Sequence, residues 1–189
     1  MMNVIEREAK LKDFLLQKYF DSSNNLPSWM ITSCVVTISL AVLISQYVPV
    51  VPEYAAKLKI FGYQMNKFGY SLTVVSLFYF LRTALGFLFY QSIGDGKKWT
   101  IFYFTSTKFY FILSILVIIL CVTHYYFPID RNKAFLCYFF FFMFVFVFKV
   151  FFYLFHRNNI LPQKWYYKFL YICTLQIAPL LLLWKLLFI

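Results

Sequence analysis

Five stretches of this chain each run for about twenty residues with scarcely a charge, and no other feature restricts its fold so severely. They are residues 29–48, 70–90, 109–127, 134–155 and 165–189. Each is long and apolar enough for an α-helix to cross the ~30 Å hydrocarbon layer of a bilayer. In that medium every backbone N–H and C=O must be satisfied within the segment itself, which a helix does. The composition agrees. Of the 189 residues 62% are hydrophobic and only 13% are charged, where soluble domains carry roughly 25%. Too few charges are present to cover a water-facing surface.

The predicted fold is therefore all-α: a polytopic membrane protein of five transmembrane helices, preceded by an N-terminal amphipathic helix. Residues 1–28 form the N-terminal segment and residues 29–189 the transmembrane domain. In "NVIEREAKLKDFLLQKYF", residues 3–20, Val4, Ile5, Leu11, Leu15, Leu16 and Phe20 share one half of the helical wheel. Glu6, Lys10, Asp13 and Gln17 fall opposite. Such a helix lies in the headgroup plane or docks on a partner. Pro27 punctuates the end of this segment. No small-residue cleavage pattern follows the first apolar run. Short connections such as "PIDRNK" make neighbouring helices antiparallel, and residues 99–108 are expected to lie along the interface before the third span.

The net charge is +11, from 18 basic and 7 acidic residues. The basic residues flank apolar runs rather than forming a stripe, which is the pattern of membrane loops and argues against nucleic-acid binding. Ten of them fall with the N-terminal segment and the loops on its side, and six on the other side. This places the N-terminus in the cytoplasm and the C-terminus outside.

Two basic residues remain, Arg82 and Lys149, both deep in spans. A charge near a helix centre costs about 2.5–3.5 kcal/mol on insertion scales. Lys149 lies near the cytoplasmic end of the fourth span, where its stem is expected to reach the headgroups. Arg82, in "LFYFLRTALGFLFY", is about 12 Å from the same side. No Asp or Glu occurs in any of the five spans. Arg82 either reaches the cytoplasmic edge with its long side chain or turns to backbone carbonyls, hydroxyls, Gln176, a lipid phosphate or a carboxylate of another chain. The absence of acids also argues against a proton pump and an intramembrane aspartyl protease. His124 and His156 fall at opposite membrane faces, no H-E-x-x-H is present, and the four cysteines lie inside apolar runs without a C-x-x-C pair. No metal or other cofactor is expected.

The closing span, "FLYICTLQIAPLLLLWK", carries Gln176 and Pro179. Pro179 lacks an N–H and frees the carbonyl of Leu175, so a kink is expected there, with Gln176 as a local polar lock. This stretch resembles the closing helix of a family of Bacteroidota multispan membrane proteins of unknown function, of the type F-L-Y-L-C-T-L-E-I-L-P-L-L-L-L-Y-K. Phe169, Leu170, Tyr171, Cys173, Thr174, Leu175, Ile177, Pro179, Leu180 to Leu183 and Lys185 match it. Ile172, Ala178 and Trp184 depart mildly, and Gln176 stands where the pattern has an acid. The arginine of "LFYFLRTALGFLF" also fits, and the likeness covers roughly residues 70–189. It implies a bacterial inner membrane and a role in the cell envelope, without a known activity.

Three functions fit these features. The first is a non-catalytic scaffold or subunit of an envelope complex, for secretion or surface-protein assembly, contacting other membrane proteins through the amphipathic N-terminus, Arg82, Gln176 and the kink at Pro179. The second is a lipid-handling or lipid-modifying membrane enzyme, with Arg82, Lys97 and Lys98 gripping a phosphate headgroup of membrane lipid, although no nucleophile and base pair is visible in the sequence. The third is a carrier or channel component.

Overall fold

The computed structural model describes residues 25–48, 51–52, 59–60, 63–94, 96–128, 130–155, 161–162 and 164–188. The expected N-terminal amphipathic helix and His156 lie outside the described residues. Helix α1 is Asn25–Ser45. A two-residue antiparallel pair, β1 (Lys59–Ile60) with β2 (Tyr63–Gln64), lies in the following loop. Helices α2 (Lys67–Ser92), α3 (Gly96–Tyr126) and α4 (Arg131–Phe155) follow. The last span is composite: α5 (Trp165–Leu170), a π-helical stretch (Tyr171–Ile177) and α6 (Ala178–Phe188). Among the described residues, five helices are long and apolar enough to cross a membrane: Leu26–Ser45, Lys67–Ser92, Lys98–Tyr126, Arg131–Phe155 and Trp165–Leu187.

The helices are wrapped in apolar side chains rather than polar ones. Phe80, Phe140 and Phe144 are 70%, 67% and 71% exposed, as a lipid-facing surface requires. Inside, three clusters hold the bundle. Val36 and Leu43 of α1 pack on Leu113 and Val117 of α3 and Tyr138 of α4. Val48, Tyr70, Val74 and Leu187 close one end. The third cluster is largely aromatic, with Tyr90, Phe102, Tyr153 and Tyr171 facing one another.

Several boundaries differ from the sequence reading. Helix α1 begins at Asn25, so Pro27 sits inside its first turn, where a missing N–H costs nothing. Residues 99–108 do not lie along the interface. They are the first turns of α3. Their polar character is absorbed locally, because Thr105 and Thr107 donate to the carbonyls of Ile101 and Tyr103 four residues back, both at 2.9 Å. Their aromatic side chains point into the bundle, with Phe102 buried against Tyr90 and Tyr171.

The helix ends follow from local chemistry. Helix α2 stops where Gly94 takes φ 80°, and the Gly94 N–H closes on the Gln91 carbonyl at 3.1 Å. Only glycine adopts that left-handed geometry without strain. Helix α4 starts after Asp130, whose carboxylate accepts the N–H of Asn132 at 3.2 Å and complements the positive end of the helix.

Candidate functional site

Arg82 lies on α2, ten residues before its end at Ser92, or about 15 Å along the axis. It is half-buried. Its Nη2 donates to Gln176 Oε1 at 3.1 Å, and Gln176 Nε2 donates to the Tyr171 hydroxyl at 2.7 Å. Both partners are buried. Of the acceptors open to Arg82 in the sequence, the fold selects Gln176.

The backbone of the last span makes this geometry available. In an α-helix, residues five apart point about 140° away from each other. Tyr171 and Gln176 are five apart, yet their side chains bond. The π-helical stretch between them is wound i→i+5, which returns the fifth residue to the same side. Pro179 follows immediately, in the first turn of α6. Having no N–H to give to the Leu175 carbonyl, it removes a bond that an α-helical register would have used. The expected irregularity is present, and it is a π-helical turn placed before the proline. Pro179 therefore shapes the site through the backbone and is not part of the cavity lining.

Lys149 departs from the sequence reading. It does not reach toward headgroups. It is 6% exposed, and its Nζ donates to the Tyr110 hydroxyl at 2.7 Å. The reason is the face on which it stands. Ala134, Tyr138, Lys149 and Tyr153 form the buried stripe of α4, so the side chain leaves the helix toward the bundle. There it meets an acceptor and three ring faces: its Nζ lies 4.6 Å from the Tyr110 centroid and 5.7 Å from those of Phe109 and Tyr153. Arg82 Cζ lies 5.6 Å from the same Tyr110 ring. Two basic side chains from different helices thus share one aromatic ring, which attracts cations through its quadrupole.

Hydroxyls extend the network across the bundle. Ser106 and Tyr153 are joined at 2.8 Å, and Ser33 donates to the Tyr79 hydroxyl at 3.2 Å. The Tyr79 and Tyr110 rings meet edge-on at 5.4 Å.

A cavity of about 40 Å³ opens beside the guanidinium, lined by Arg82, Ser106, Tyr110 and Tyr171 with Trp29 and Trp99. It exceeds the ~10–15 Å³ that one water needs on the same measure, so a small polar group fits. A second, larger space of about 550 Å³ runs between α1 and α2, lined by Thr37, Ser76, Phe80 and Phe87 among others. Trp29, Tyr79, Thr83 and Trp99 line both spaces. Gly86 seats the shared wall. A Cβ added there would stand 3.1 Å from Trp99 Cζ3, so only glycine lets the indole lie this close to α2.

Of the residues singled out in the sequence, Arg82 and Gln176 come together. Lys98, in the first turn of α3, does not line the cavity. The side chain of Lys97 lies outside the described ones. Sequence reasoning missed Lys149, Tyr110 and Tyr171. The one signal for Lys149 was its status as the only other charge deep within a span. Among the described residues, no three His, Cys, Asp or Glu side chains converge on a metal-sized space. His124 instead meets the hydroxyls of Tyr47 and Tyr138 through Nδ1 at 3.3 and 3.4 Å. The cysteines are unpaired thiols.

This site is donor-rich. Arg82 brings five N–H donors and Lys149 three, while the five spans contain no carboxylate. Its chemistry suits an anion. No curated protein and no solved structure matches the chain. Residues 8–187 match a family described as a domain of unknown function (DUF4271). A hydrogen-bonded chain from Arg82 through Gln176 to Tyr171, a cavity beside Arg82 and a lysine buried against Tyr110 are thus features of a five-span membrane protein that belongs to the DUF4271 family.

Proposed function

We propose that this protein is a non-catalytic, lipid-handling component of a bacterial cytoplasmic membrane, which holds an anionic headgroup beside Arg82 and Lys149. One observation carries the reading: two basic side chains flank the ring of Tyr110 inside the bundle, and no span supplies an acid to balance them. An anion from outside the chain completes the charge, and its phosphate oxygens suit the planar fork of a guanidinium. Recognition is favoured over chemistry because the polar groups are already engaged. Ser106 bonds Tyr153, and Lys149 bonds Tyr110, so neither stands as nucleophile and base for the other. The orientation with the N-terminus in the cytoplasm follows from the ten-to-six bias of basic residues. It puts the cavity in the inner half of the bilayer.

Thermal melting in neutral-lipid nanodiscs tests this. Added phosphatidylglycerol should raise the melting temperature of the wild type, whereas added phosphatidylcholine should not. A ligand at 100 times its Kd stabilises by about 2.7 kcal/mol. The paired change Arg82→Gln with Lys149→Met should abolish the rise. Equal shifts with both lipids would overturn the proposal.

A scaffold role in an envelope complex is the second reading. Its support is the outer face of α4, where Phe140, Phe144 and Phe148 stand exposed at successive helical turns. Purification in mild detergent separates the two. Stoichiometric partner proteins that remain bound to Arg82→Gln favour the scaffold, and retained anionic lipid favours the first reading.

A further inference from the structure

The space between α1 and α2 is continuous in its lining with the cavity at Arg82, and this continuity carries an inference about the ligand itself. The inference rests on the anionic-headgroup reading above. We propose that the ligand is a phosphate-headed amphiphile with one hydrocarbon chain lying in the α1–α2 groove and its head beside Arg82. Three observations support it. The groove measures about 550 Å³, within the ~300–1,000 Å³ usual for ligand sites. Its walls match a chain in character, with Ile38, Leu72, Phe80 and Phe87 supplying apolar surface. Its length also matches. From Thr83, at the junction with the cavity, to Leu72 is eleven residues of α2, about 16 Å. That is close to the depth of one leaflet of a ~30 Å hydrocarbon layer.

The junction is built to keep head and chain apart. Trp29, Tyr79, Thr83 and Trp99 face both spaces, so an amphiphile whose head reaches Arg82 passes between indole and phenol edges before its chain enters the groove. Trp99 is held in that position by its contact with the bare backbone at Gly86. The head would then sit below the headgroup plane, as expected for a lipid that is held or handed on rather than one of the annular shell.

Fluorescence quenching tests the arrangement. The full chain is placed in phosphatidylcholine nanodiscs with Trp165→Phe and Trp184→Phe, leaving Trp29 and Trp99 as emitters. Chain-brominated dodecyl phosphate should quench them saturably. Unbrominated dodecyl phosphate should displace it at least about tenfold better than inorganic phosphate or dodecanol. Ser76→Phe, which fills the groove from an exposed position, should remove that preference for the chain. Ala84→Leu serves as a second filling variant if the first does not fold. Unchanged chain preference in both filling variants would overturn the placement of the chain and leave the anion reading intact. Unchanged quenching in Arg82→Gln would overturn the anion reading and the inference with it. Displacement by inorganic phosphate as good as by dodecyl phosphate would show a free-anion site and sink the amphiphile.

Discussion

Arg82 and Gln176 stand 94 positions apart in the chain and are joined by one hydrogen bond of 3.1 Å. The bond satisfies a donor without cancelling a charge, because the acceptor is a neutral amide. A carboxylate at the same place would neutralise the guanidinium, and that is what the resembling closing-helix pattern carries there.

Gln176→Glu should therefore separate stability from binding. A charge-assisted bond contributes about 1.5–3 kcal/mol, against ~1 kcal/mol for a neutral one. The variant should melt higher than the wild type and lose its response to anionic lipid. Melting curves with and without phosphatidylglycerol check both halves. A variant that melts higher and keeps the full lipid response would show that the charge on Arg82 is not what the lipid reads.

Lys149→Met asks whether the buried lysine is structural. Replacing a buried ionic group by an apolar side chain of similar volume is often neutral or stabilising, by ~1–4 kcal/mol. Lys149→Met should keep or raise the melting temperature and weaken anionic-lipid binding several-fold. A large loss of stability would instead mark the bond to Tyr110 as the reason for the lysine.

Pro179→Ala restores an N–H that can bond the Leu175 carbonyl and favours plain α-helix across Tyr171–Ile177. Gln176 would then rotate away from Tyr171 and Arg82. A double-mutant cycle between Arg82→Lys and Gln176→Leu should give a coupling of about 1 kcal/mol in the wild-type background and close to none beside Pro179→Ala. Equal coupling in both backgrounds would contradict the link between the proline and the site.

Two glycines should behave differently on change to alanine. At Gly94 the φ of 80° makes any side chain strained, at a cost of about 1–2 kcal/mol, with no effect on lipid binding. At Gly86 the new Cβ presses on Trp99 and needs it to give by a few tenths of an ångström. Gly86→Ala should therefore shift the tryptophan emission and change lipid affinity with a smaller effect on melting. The two melting and emission profiles side by side check this, and identical behaviour at both glycines would count against Trp99 as a wall of the site.

The membrane-spanning segments were legible because lipid imposes a condition that composition alone reveals: long apolar runs without acids. The register of those segments was less so. Residues 99–108 look interfacial because half of them are Thr, Ser or Tyr, yet in the bundle Thr105 and Thr107 bond the carbonyls four residues behind them and Ser106 bonds the Tyr153 hydroxyl. Lys149 was misplaced for a related reason. Helix α4 is so uniformly aromatic that no periodic contrast marks its buried stripe, and the choice between snorkelling and burial depends on which face turns inward. The bond between Gln176 and Tyr171 was invisible at α-helical spacing and exists only because the backbone there is π-helical. By contrast, Arg82 was readable as a problem from its neighbours alone, and Gln176 stood among the few acceptors able to solve it.

Half-buried Arg82 and buried Lys149 are proposed to hold an anionic lipid from outside the chain. Native mass spectrometry of protein extracted from its own membrane in mild detergent tests it most directly. The account predicts an anionic lipid retained by the wild type and lost from the paired variant Arg82→Gln with Lys149→Met. Equal retention by both proteins, or retention of neutral lipid only, would contradict it.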